Sequence, residues 1–184
     1  ALSEAEDPDA EAVWELLAGA NDAGAETRFA ALRGRADALL ARDEFEQALN
    51  LYGEAEQIAP EPWAQGWAAL GVAEAQAHLG NMDASTQALD LLREHSNPEV
   101  RMQAIIRRAD IAADLEDWKA AIDLVKPEAA AALGPAWDAS ATSTRARALQ
   151  GAGDQPGAET TWRALANRWP EEEEGFLPAW LGLA

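Results

Sequence analysis

Two histidines, His78 and His95, are the only imidazoles in 184 residues, and the chain has no cysteine. Thiolate nucleophiles, disulfides and Cys-based metal sites are therefore excluded. Neither histidine stands in an HExxH pattern, and there is no G-x-S-x-G elbow and no glycine loop of the kind that cradles phosphate. Both read as helix-terminal surface residues. Paired carboxylates are plentiful, but in a chain with 33 acidic residues against 14 Lys plus Arg such pairs arise without a catalytic role. The run of four glutamates at 171–174 lacks the alternating oxygen ligands and glycine turn of a calcium loop. It reads as a solvated loop, or as acids placed at the start of a following helix. Eight tryptophans are the other chemically conspicuous group. The expectation is a protein without catalytic residues, cofactor or metal.

The formal net charge of −19 argues against nucleic acid, whose phosphates need a basic face, and against docking on anionic lipid. The only lysines are Lys119 and Lys126. No apolar run approaches the roughly 20 residues that span a bilayer. The sequence opens on Ala1 and closes on the helix-like "PAWLGLA" at 178–184, which reads as an excised domain or processed product.

What would position these residues is helical. Ala, Leu, Glu, Gln and Arg dominate, and no stretch alternates apolar and polar residues as a strand would. The class is all-α. Four breaks interrupt the helical pattern: "ARDEF" at 41–45, "LGNM" at 79–82, "LEDW" at 115–118 and "AGDQ" at 152–155. The residues that close them, Phe45, Met82, Trp118 and Gln155, are spaced 37, 36 and 37 apart. Small residues precede them at Ala36, Ala73, Ala109 and Ala146, and follow them at Ala48, Ser85, Ala121 and Ala158. One turn further stand Tyr52, Leu89, Val125 and Trp162. Each unit is thus a hairpin of helix A, tight turn and helix B. Small residues let the two helices approach, and a large one fills the adjoining space. Asp43 with Glu46 predicts a capping box on the first B helix. Pro62, Pro98 and Pro135 fall near A-helix starts, where a missing N–H is harmless.

The pattern resembles the tetratricopeptide repeat, W-x2-LG-x2-Y followed by A-x3-F and a closing proline over a 34-residue period. Ala48, Tyr52, Ala55 and Pro60 match the second half, and "WAALG" at 67–71 matches the opening. The third copy keeps Ala109, Trp118 and Ala121 but breaks helix B with Lys126-Pro127; the fourth keeps Ala146, Gly153-Asp154, Ala158, Trp162 and Pro170. The units run at about 29–62, 63–97, 98–134 and 135–170. Residues 1–28 form an acidic segment and capping helix, and 171–184 an acidic loop leading into a further helix. In the capping helix, Trp14, Leu16 and Leu17 cover the open edge of the first hairpin or continue a preceding unit. Two departures stand out: the longer period, and Arg35, Arg108 and Arg145 where the family usually has Leu. Either these helices are rotated slightly, or the arginines pack by their stems with heads reaching towards acids.

The resemblance implies a right-handed α-solenoid whose A helices line a concave groove that grips an extended peptide or a partner helix. Carried onto this chain, the groove positions are Arg33, Asp37 and Leu40; Trp67, Leu70, Glu74, Ala77 and His78; Gln103, Ile106, Asp110 and Asp114; and Ser140, Ser143, Arg147 and Gln150. The Lys and Asn of the chaperone-carboxylate clamp are missing, so a partner with Lys or Arg and apolar anchors fits better. Trp118, Trp137, Trp162 and Trp180 read as packing residues, Trp63 and Trp169 as seals between units, and Trp67 as core or groove. The end "NRWPEEEEGFLPAWLGLA" resembles a boundary in bacterial envelope tetratricopeptide proteins of the TolA-binding, cell-division kind, through Trp169-Pro170 and the segment 178–182. That implies a periplasmic or envelope location, with the cytoplasm as alternative. The functional expectation is a non-catalytic protein-binding scaffold. Self-assembly through end hairpins into homo-oligomers, and a regulatory segment of a larger protein, are the alternatives.

Overall fold

The computed structural model describes residues 8–19 and 24–169, and every element among them is helical. In chain order these are α1 (Pro8–Gly19), α2 (Ala25–Ala41), α3 (Phe45–Ile58), α4 (Pro62–His78), α5 (Met82–Leu92), α6 (Pro98–Asp114), α7 (Trp118–Leu124), α8 (Pro127–Ala131), α9 (Pro135–Gly151) and α10 (Gln155–Arg168). The chain divides into two compact units, Ala1–Val100 and Arg101–Ala184. Helices pack on their neighbours in sequence within each. The four A helices are α2, α4, α6 and α9, each of 17 residues.

The small-and-large register explains this packing. All eight small positions, Ala36, Ala48, Ala73, Ser85, Ala109, Ala121, Ala146 and Ala158, have 0% exposure. The four large partners, Tyr52, Leu89, Val125 and Trp162, are buried with them. Each large side chain gains on the order of 1.5–3 kcal/mol by leaving water. The alanines contribute little of that directly. They matter because a bulkier residue would hold the helices apart.

The four turns between A and B helices share one backbone. Asp43, Gly80, Glu116 and Gly153 all have positive φ, between 60° and 81°. The N–H of the next residue bonds back to the carbonyl of Leu39, Gln76, Ala112 and Leu149 in turn, at 2.8–2.9 Å. The positive-φ residue itself donates to Leu40, Ala77, Ala113 and Gln150. This is the Schellman arrangement, which satisfies carbonyls left over at a helix C-terminus. It corrects the capping expectation at the first turn. Asp43 occupies the left-handed position, Glu44 is the N-cap of α3, and no side chain caps it. Side-chain caps form instead at the later turns. Asp117 accepts from the Ala120 N–H at 3.1 Å, and Asp154 from the Gly157 N–H at 3.0 Å.

In the first unit, α1 packs on α2 as a B helix packs on the A helix after it. The Tyr52 ring lies against Gly71 so closely that a Cβ there would come within 2.4 Å of it; the Trp14 indole lies against Gly34, where a Cβ would meet it at 2.8 Å. Trp14 thus stands where a preceding hairpin would place its large residue. At the other end of the unit, His95 latches the 93–97 loop. Its Nδ1 accepts from the Asn97 N–H at 3.1 Å, which leaves Nε2–H to donate to the Pro62 carbonyl at 3.1 Å.

In the second unit, Pro127 breaks the third B helix into α7 and α8, as the Lys126-Pro127 pair predicts. The break frees carbonyls at the end of α7, and Arg145 on α9 donates through one nitrogen to those of Ile122 (2.5 Å) and Val125 (2.8 Å). Its head therefore satisfies backbone rather than an acid. Arg35 does reach an acid, Glu15 on α1, at 4.0 Å. Trp118 lies on Gly151, and Trp137 packs on the core of α6, α7 and α8. The fully buried Asp138 closes the last hairpin. It accepts two bonds from Arg168 (2.7 and 2.8 Å) and one from the Trp169 indole (2.8 Å). Pro170, the glutamate run at 171–174 and the segment containing Trp180 lie outside the described residues.

Candidate functional site

The A helices carry the residues that the family pattern nominates. In the first unit, α2 and α4 bring Arg33, Asp37 and Trp67 together. The Arg33 guanidinium sits 6.0 Å from the Trp67 ring centre, while its Nε lies 3.6 Å from Asp37. Trp67 is therefore half-buried and faces Arg33 of the neighbouring A helix. From behind, the buried Tyr52 donates to Asp37 Oδ1 at 2.6 Å. Burial, then the Asp37 hydrogen bond, then the charges of Asp37 and Glu74 push the Tyr52 phenol well above its usual range. Tyr52 is thus a permanent donor that fixes Asp37. Glu74 is half-buried, and Leu40 packs on the core of Ala36, Leu39 and Tyr52. His78, exposed at the end of α4, stacks on Phe45 with ring centres 4.5 Å apart and planes 7° from parallel.

In the second unit, α6 and α9 join through Asp110. It accepts from Arg147 at 2.6 Å and from Thr144 at 3.0 Å. The Asp110 carboxyl nonetheless lies above its ordinary range, because burial outweighs the opposing pull of Arg147 and Thr144. Asp114, Ser140 and Gln150 are exposed, and Gln103 and Ser143 half-buried. Two nominated residues are not on the face at all. Leu70 is 6% exposed and Ile106 3% exposed, the latter within the core of α6 to α8, so neither is available to a partner. One residue around a helix is about 100°, enough to turn a groove position inward.

Residues singled out separately in the sequence meet, together with Glu26 and Phe29 that are not, in a distinct groove of the first unit. It encloses about 500 Å³ and is lined by Trp14 of α1, by Glu26, Phe29, Arg33 and Asp37 of α2, and by Trp63 at the start of α4. The matched pairs Trp14–Gly34 and Tyr52–Gly71 are the sequence signal that could have found it, since they put α1 beside α2. A second cleft, about 410 Å³ in the second unit, holds Lys126, Arg145 and Arg168. There Arg145 and Arg168 are committed to carbonyls and to Asp138. Among the described residues, no three His, Asp or Glu side chains gather as a metal site, and no helix is long and apolar enough to cross a membrane. The chain matches no model of a known protein family, and comparison with curated proteins finds no relative.

Proposed function

We propose that this chain is a non-catalytic, tetratricopeptide-like scaffold that binds a peptide or partner helix along the exposed face of its A helices. The observation that carries the reading is direct pairing between successive A helices: Arg33 over Trp67 in one unit, Asp110 with Arg147 in the other. Residues that meet across two helices form a surface wider than either alone. Arg33, Asp37, Trp67, Glu74, His78, Gln103, Asp110, Asp114, Ser143, Arg147 and Gln150 are its residues. The net charge of −19 favours a partner carrying Lys or Arg. The same resemblance argues for a bacterial envelope protein, on the strength of Trp169-Pro170 and the segment 178–182.

A library of extended peptides, screened on wild type and on a variant with Arg33, Asp37, Asp110 and Arg147 reversed in charge, tests the scaffold. Binders of wild type should be lost on the variant. Equal binding to both would remove the A-helix face from the mechanism.

A further inference from the structure

We infer that the groove between α1, α2 and the start of α4 takes a basic side chain, Lys or Arg, from a bound peptide. The inference rests on the peptide-binding reading for the nature of the occupant. The recognition chemistry comes from the groove itself. Its walls are the half-buried Trp14 and the 47%-exposed Trp63, with the buried Phe29 beside them. Two carboxylates, Glu26 and Asp37, are exposed in the same groove. Aromatic faces attract a cation through their negative quadrupole, and carboxylates supply the counter-charge. The long apolar stem of Lys or Arg suits indole walls as its head reaches the acids.

The cation already present, Arg33, does not fill the role. Its charge is turned to Asp37 at 3.6 Å and to Trp67 on the far side. Glu26 remains as an exposed acid at the groove. An anionic ligand would meet two carboxylates here, on a chain of net charge −19. A purely apolar one would strip water from those acids with nothing in return. The volume of about 500 Å³ is in the usual range for a recognition site, roughly 300–1,000 Å³.

Indole N–H signals of Trp14 and Trp63 in ¹H–¹⁵N spectra give a local readout. The probe is the capped peptide Ala-Leu-Lys-Leu-Ala, against counterparts with norleucine or glutamate at the centre. The lysine peptide should move both signals saturably, and the norleucine peptide should bind roughly tenfold more weakly. Glu26→Lys and Trp63→Ala, both at exposed positions, should weaken the lysine peptide. Equal binding of norleucine, tighter binding of glutamate, or indifference to Glu26→Lys would each overturn the inference. Lysine-peptide shifts confined to α6 and α9, and abolished by Arg147→Glu, would overturn the groove while leaving the A-helix reading intact. Tetramethylammonium chloride against sodium chloride separates the remaining case. If it moves Trp14 and Trp63 while the peptide moves nothing, the cation preference stands and the peptide reading fails.

Discussion

Gly53 and Gly71 both lie inside helices, yet replacing them with alanine should have opposite effects. Around Gly53 on α3 a Cβ meets nothing within 4 Å. Gly53→Ala should therefore recover the helix-propensity difference, about 0.8–1 kcal/mol of stabilisation. At Gly71 on α4 the same Cβ would stand 2.4 Å from two ring carbons of Tyr52. The ring cannot readily swing aside, because its hydroxyl is held by Asp37 at 2.6 Å. Overpacking of this kind costs about 1–3 kcal/mol or more and outweighs the propensity gain, so Gly71→Ala should lose on the order of 1–2 kcal/mol. For a unit of about 100 residues each kcal/mol moves Tm by roughly 4–8 °C. Thermal unfolding followed by circular dichroism should then place the two variants on either side of wild type. Adding Tyr52→Leu to Gly71→Ala should cost less than Tyr52→Leu alone predicts, since the shorter side chain clears the new methyl. A Gly71→Ala protein as stable as Gly53→Ala, or a double variant whose losses simply add, would refute the close approach of α3 to α4 on which the Arg33–Asp37–Trp67 cluster depends.

Further outcomes follow from other features. At the turns, Glu116→Gly should stabilise the second unit by about 0.5–1 kcal/mol by relieving a left-handed glutamate, while Gly80→Ala should destabilise the first by about 1 kcal/mol; urea midpoints measure both. Asp138→Ala should cost about 2–4 kcal/mol in the same assay, because it strands the Trp169 N–H and the Arg168 guanidinium together. Tyr52 is the only tyrosine, so absorbance near 295 nm reports it alone. The folded protein should show no tyrosinate at pH values where an unfolded control ionises, about 10. Since the unfolded chain then gives up a proton that the folded one keeps, stability should fall as pH rises beyond about 10, and Tyr52→Phe should remove that part of the fall.

How far the structure could be read from the sequence depends on what each residue must satisfy. Ala36, Ala73, Ala109 and Ala146 announce the repeat because close packing at a crossing admits only small residues, whatever surrounds it. The break at Pro127 is legible because proline lacks the N–H that a continuing helix needs. Leu70 and Ile106 show where this reading ends. Both sit on A helices beside true surface positions, and the register carried from the family is off by a fraction of a turn. At the first turn, Asp43 and Glu44 are both acidic, and only the left-handed backbone decides that neither caps. Asp138 looks like any first-turn aspartate; its burial depends on Arg168 and Trp169, some 30 residues away. The aromatic groove needs Trp14 and Trp63 brought to one place from separate helices, which no local pattern records.

Arg145 has a mechanical consequence. Stacked hairpins ordinarily unzip one at a time, because each touches only its neighbours. Here the α9–α10 hairpin is riveted at two points. Its own ends are closed by Asp138 with Arg168 and Trp169, and Arg145 is hooked into the carbonyls of Ile122 and Val125. Peeling it away would expose two bare carbonyls at the end of α7 as well as its apolar side. The last described hairpin and the broken helix before it should accordingly breathe as one, with amides of α7, α9 and α10 exchanging with solvent in a shared opening rather than in sequence.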